Sequence, residues 1–139
     1  MDYTKQLEEV KALDNQEQEK ALALAMHLEI EPEEGEDLDA FLAQIVSTDA
    51  SPELFEADGG EYLVLTDAEA EEKWDEALDN YIEECITPEL PEQFRLYFDD
   101  EKWKNDARMD GRGHSLATYD GEEHDQDVNG TTYYIYRTN

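Results

Sequence analysis

Apolar residues recur at helical spacing through much of the first half of the chain. Leu7, Val10 and Leu13 stand three apart and predict a helix over residues 2–13. Ala21, Leu22, Leu24, Ala25 and Leu28 predict a second over Asn15 to Leu28, capped by Asp14 with Glu17 three residues on. Pro32 and Gly35 then stop the pattern within an acidic stretch, Glu31 to Asp37. Leu38, Phe41, Leu42, Ile45 and Val46 return to helical spacing and predict a short amphipathic helix. Ser51-Pro52-Glu53 is compatible with the start of another helical turn, and Asp58-Gly59-Gly60 reads as a loop.

The pattern changes after residue 60. Tyr62-Leu63-Val64-Leu65 reads as a strand, and Thr66 or Asp67 caps the helix that follows, with Glu69 near the capping-box position. That helix should run from about Ala68 to Ile86, because Ala70, Trp74, Ala77, Leu78, Tyr81 and Cys85 share one face. Cys85 is therefore expected to pack in the core. Thr87-Pro88 and Pro91 end the helix. Residues 92 to about 109 read as helical in one or two pieces anchored by Phe94, Leu96, Tyr97, Phe98 and Trp103. Val128-Asn129-Gly130-Thr131 is a hairpin signal, followed by the β-forming run Thr132 to Arg137. The expected fold is α+β: a helical N-terminal half, with a small antiparallel sheet and hairpin in the C-terminal half. Residues 1–57 form an acidic helical region and 58–139 an α+β module with the C-terminal hairpin.

Charge alters this picture most. In 139 residues there are 39 Asp and Glu against 10 Lys and Arg, a formal net charge of −29, which would suit a disordered tail. Eight Tyr, four Phe and two Trp argue instead for a folded domain. A nucleic-acid backbone is excluded as a direct partner, and an anionic membrane surface is disfavoured, since both would be repelled. One cysteine permits no intramolecular disulfide. The start lacks a signal-peptide pattern and no apolar run is long enough to cross a bilayer, so a cytoplasmic protein is expected.

The charge is uneven. Residues 1–101 carry 32 acids and 5 bases, whereas residues 102–139 carry 7 and 5. Along the helix after Thr66, Glu69, Glu72, Glu76, Asp79 and Glu83 recur every three or four residues, opposite the apolar face. This row, with Glu33, Glu34, Glu36, Asp37 and Asp39 in the earlier acidic segment, is the candidate partner-binding surface. Like charges four apart each destabilise a helix by roughly 0.2–0.5 kcal/mol, so the arrangement has a cost that suggests a use. A solvated helix face is the plainer reading of such a row.

Other chemistry is thin. No Gly-rich phosphate loop or zinc-type cysteine spacing occurs, and His27, His114 and His124 lie far apart in sequence. Asp120, Glu122, His124, Asp125 and Asp127 are dense in possible ligands but lack the EF-hand pattern, so an acidic turn is expected and no metal. Ser115 beside His114 does not make a catalytic pair. Lys102, Lys104, Arg108 and Arg112 around Trp103 are expected to neutralise the acidic half. The chain reads as a non-enzyme without a cofactor.

Small, ordered and strongly acidic, it resembles the DNA-mimic inhibitors of bacteriophages and mobile elements, which include antirestriction and several anti-CRISPR proteins. Glu61-Tyr62-Leu63-Val64-Leu65-Thr66-Asp67, Arg112-Gly113-His114, Tyr119-Asp120-Gly121 and Tyr133-Tyr134-Ile135-Tyr136-Arg137 also resemble a group of small phage-encoded proteins without an assigned activity. The motif residues imply a shared fold more than a shared function. The first resemblance implies an inhibitor occupying the nucleic-acid groove of a basic enzyme, first a Cas effector and second a restriction enzyme. A salt-adapted acidic domain, an adaptor for another basic protein and a divalent-metal buffer are the alternatives.

Overall fold

The computed structural model describes residues 2–48 and 51–139. Two helices open the chain, α1 (Thr4–Leu13) and α2 (Gln16–His27). Asp14 takes a left-handed conformation at the end of α1, and Asn15, rather than Asp14, caps α2 by accepting from the Gln18 N–H. A one-residue shift of the cap follows, because Asp14 already closes the preceding helix.

The segment 38–57 departs most from its periodicity. Helix α3 (Leu38–Leu42), capped by Asp37, stops after five residues. The chain then enters strands β1 (Val46–Thr48) and β2 (Ser51–Ala57), so Ser51-Pro52-Glu53 opens a strand and not a helical turn. β2 pairs with β3 (Gly60–Leu65) around Asp58 and Gly59, both at positive φ as a tight hairpin turn requires. The seam expected at residue 58 thus falls at a hairpin turn.

Helix α4 (Asp67–Tyr81) starts at a full capping box: Thr66 Oγ1 accepts from the Glu69 N–H, and the Glu69 carboxylate accepts from the Thr66 N–H. It does not continue to Ile86 as an α-helix. A π-helical turn covers Ile82–Ile86, and single 3₁₀ stretches follow at Thr87–Glu89 and Glu92–Tyr97. The wider turn shifts the apolar phase. Ile82 is buried, Cys85 is exposed and Tyr81 is half-exposed. Helices α5 (Asp100–Ala107) and α6 (Arg112–Leu116) precede the hairpin of β4 (His124–Val128) and β5 (Thr131–Arg137), which turns at Asn129 and Gly130.

The α+β expectation holds. The five strands form one antiparallel sheet in the order β1-β2-β3-β5-β4. Alternation along β3 and β5 feeds two cores. Tyr62, Val64, Tyr133 and Ile135 face α1–α3, where the whole run Ala21 to Ala25 is buried because α2 lies between the sheet and its neighbouring helices. Leu63, Leu65, Tyr134 and Tyr136 face α4 and α6, joining Ala70, Trp74, Leu78, Leu116 and Ala117. No helix among the described residues is long and apolar enough to cross a membrane.

Motif residues quoted above hold this second layer together. A Cβ on Gly113 would lie 2.7 Å from the Glu123 backbone nitrogen and 2.9 Å from the Gly121 carbonyl oxygen, so α6 can pack on that loop only through glycine. Arg112, its side chain only 10% exposed, donates to Asp67, Glu71 and Glu123 and lies 4.6 Å over the Tyr134 ring. The Tyr136 hydroxyl donates to the same Glu123.

Candidate functional site

The ten bases are placed mostly within the fold, and this determines which carboxylates remain available. Lys20 on α2 is buried and meets Glu69 at 2.8 Å, joining the two helical layers at one end of the sheet. Lys104 on α5 is equally buried and touches Asp75 at 2.7 Å and Asp79 at 2.8 Å, while Arg108 adds a second contact to Asp75. Lys73 pairs with Glu53 and Lys5 with Glu9. Arg137 lies 4.0 Å from the Tyr119 ring centre.

Titration follows from these contacts. Hydrogen bonds from Lys104 hold the Asp75 carboxyl below the usual carboxylate range, and the reciprocal bonds from Asp75 and Asp79 raise Lys104. Burial pushes Glu69 upward, but bonds from Lys20 and Thr66 outweigh it and the net displacement is downward. Burial likewise opposes the charge on Arg112, yet Asp67 and Glu123 raise its pKa overall. Burial next to Glu19 pushes the Tyr133 hydroxyl up to about 12.

The predicted row on α4 therefore divides. Glu69 belongs to the capping box and the Lys20 pair, and Asp79 secures Lys104. Glu72, Glu76 and Glu83 are exposed, with no ion-pair partner among the described residues. Glu83 also lies beyond the α-helical part, in the π-turn, so the straight five-carboxylate line expected from α-periodicity is interrupted. Beside it, Glu53, Glu69, Glu72, Lys73 and Glu76 line a shallow depression between α4 and β2, in which Lys73 pairs with Glu53.

The second acidic segment occupies the other helical layer. Its backbone is anchored by α1: Lys5 Nζ donates to the Gly35 carbonyl at 2.7 Å, and the buried Gln6 side chain donates to the Glu36 carbonyl at 2.6 Å. The Leu38 N–H donates to Glu9. Asp37 caps α3, and Asp39 accepts from Gln18. Glu33 and Glu34 project into solvent. The sheet separates this segment from the α4 row, so the residues predicted as one surface form two patches.

The turn before β4 has a distinct arrangement. Ligand-capable atoms of Asp120, Glu122 and His124 lie within 4.8 Å of one another, and the His124 ring packs on His27 of α2 at 4.8 Å between centres. Chain order hid this pair, whose members are on α2 and β4. Sequence reasoning also missed the role of Lys20 as a buried counter-ion. The basic cluster around Trp103 does neutralise acidic residues, through Lys104 and Arg108.

Comparison with protein-family models, curated proteins and solved structures finds no match to the chain. Its functional reading rests on the surface just described.

Proposed function

We propose that this protein is an acidic nucleic-acid mimic that inhibits a nucleic-acid-processing enzyme by occupying its Lys/Arg-lined groove. A Cas effector is the first target class and a restriction enzyme the second, which places the protein in the bacterial cytoplasm. The observation that carries the reading is the division of charge. Six of the ten bases, Lys5, Lys20, Lys73, Lys104, Arg108 and Arg112, pair with carboxylates of the fold, while carboxylates such as Glu72, Glu76, Glu83, Glu33 and Glu34 face solvent without an ion-pair partner among the described residues. A surface of this kind presents fixed negative charge where a basic groove expects phosphates. Opposite fields would also make association fast and salt-sensitive.

The test is inhibition and binding against a panel of purified Cas effectors and restriction endonucleases, with a salt series and competing DNA. One panel member should bind, lose affinity steeply as salt rises, and release the protein to excess nucleic acid. Joint replacement Glu72→Gln, Glu76→Gln and Glu83→Gln should weaken binding at least tenfold without lowering the melting temperature. Asp79 is left intact because it holds Lys104. Binding that nucleic acid does not displace, or full inhibition by the triple variant together with Glu33→Gln and Glu34→Gln, would overturn the reading.

A further inference from the structure

Between residue 83 and residue 103 the chain buries no side chain, although it is rich in apolar ones. Leu96 is 94% exposed, Tyr97 83% and Phe94 53%. They lie on the 3₁₀ segment Glu92–Tyr97, which no core residue ties down. The elements on either side of this arm in the chain line a groove of about 570 Å³, formed by Leu78, Tyr81, Ile86, Trp103 and Ala107. Inside it the Tyr81 and Trp103 rings stack 5.4 Å apart and nearly parallel. An exposed apolar surface of this extent on a chain otherwise covered in carboxylates marks a contact site.

Charge around the arm selects its occupant. Glu89, Glu92, Asp99, Asp100 and Glu101 are all exposed and flank Phe94, Leu96 and Tyr97 in the chain. A second copy of this chain would set these carboxylates against their equals, and an anionic bilayer would repel them. The complementary surface is cationic with apolar or aromatic side chains interspersed. Channels for single-stranded nucleic acid have that composition: Lys and Arg follow the backbone, and aromatic platforms stack the unpaired bases. A duplex reader presents cations to phosphates but has no stacking demand of this kind.

Resting on the mimic reading above, we infer that the strand imitated is single-stranded: the carboxylates of residues 89–101 take phosphate positions, while Phe94, Leu96 and Tyr97 take the positions of unpaired bases on the partner's stacking platform. The carboxylates steer the encounter, and the arm supplies the contact that survives salt.

The experiment uses the full chain and the panel of the preceding section, extended with a single-stranded-DNA-binding protein. Bound complexes are challenged with an oligothymidine or a duplex of equal phosphate content, at low and high salt. The single strand should displace the protein at a lower concentration than the duplex. The variant Phe94→Ala, Leu96→Ala, Tyr97→Ala should keep its melting temperature, since none of the three is buried, and at high salt should bind about thirtyfold more weakly. Preferential displacement by duplex, or an arm variant with undiminished high-salt affinity, overturns this inference and leaves the mimic reading standing. Displacement by neither nucleic acid overturns both.

Discussion

The two faces of the sheet are covered by helical layers built on different principles. The α1–α3 face has the larger apolar core: Leu22, Leu24, Phe41, Val64 and Ile135 are fully buried, an Ala-rich helix allows close approach, and Lys20 is the one buried charge among its described residues. The α4–α6 face has the smaller apolar core and is bound at its margins by cations, Arg112 among three carboxylates and Lys104 between two. An acidic protein can therefore fold by two routes. It can gather its apolar residues with little buried charge among them, or place a scarce base such as Lys104 or Arg112 where it meets several acids at once. The first layer should be insensitive to salt, whereas the second should depend on electrostatics.

The largest effect should come from the first layer. Leu22→Ala removes a fully buried side chain between α2 and the sheet and should cost about 3–4 kcal/mol, read by urea denaturation. Raising the salt should leave that difference unchanged. Arg112→Gln comes next, at about 2 kcal/mol, because Asp67 and Glu71 retain solvent but Glu123 and Tyr136 lose the charge at their centre. This loss should shrink in molar salt, as carboxylate repulsion is screened. A penalty below about 0.5 kcal/mol, or one as indifferent to salt as that of Leu22→Ala, would show that both layers rest on apolar burial alone.

Within α4 itself the same contrast recurs on a smaller scale. Glu72 and Glu76 stand four apart without a cation, while Asp75 and Asp79 are neutralised by Lys104. The variant Glu72→Gln, Glu76→Gln, Glu83→Gln should raise stability by a few tenths of a kcal/mol at low salt, by relief of like-charge repulsion. A clear loss of stability would mean that these carboxylates are structural and not reserved for a partner.

Legibility in the sequence followed the range of the interactions involved. Local signals were read correctly: the Thr66–Glu69 capping box, the Asn129-Gly130 turn, and strand β3 with the start of α4. Each is settled by residues within four positions of one another. Segment 46–57 was misread because Val46 continues a helical spacing and Pro52 resembles a helix start, whereas pairing with β3 decides the outcome. Phe94, Leu96 and Tyr97 read as anchors of a helical piece from hydrophobicity alone, but they stand on a 3₁₀ segment and remain largely exposed. The acidic row was visible as residues but not as available charge, since Lys20 reaches Glu69 across 49 positions and Lys104 reaches Asp79 from a separate helix.

The smallest effect tests where the two layers meet around β4. Burial holds His27 below its ordinary value of 6.5, and the neighbouring His124 pushes the same way, against the opposing pull of Asp120, Asp125 and Glu29. The folded state thus binds fewer protons at His27 than the unfolded chain does between the lowered value and 6.5. Stability from this site is complete above about pH 6.5 and is lost as the pH falls through the folded value. Carboxylates titrate lower, so the interval from pH 7 to 5.5 isolates the imidazoles. His27→Gln should flatten the decline of melting temperature across that interval relative to the parent protein, with little change at pH 7.5. Parallel declines in the two proteins would place His27 in a solvent-like environment and contradict its packing against His124.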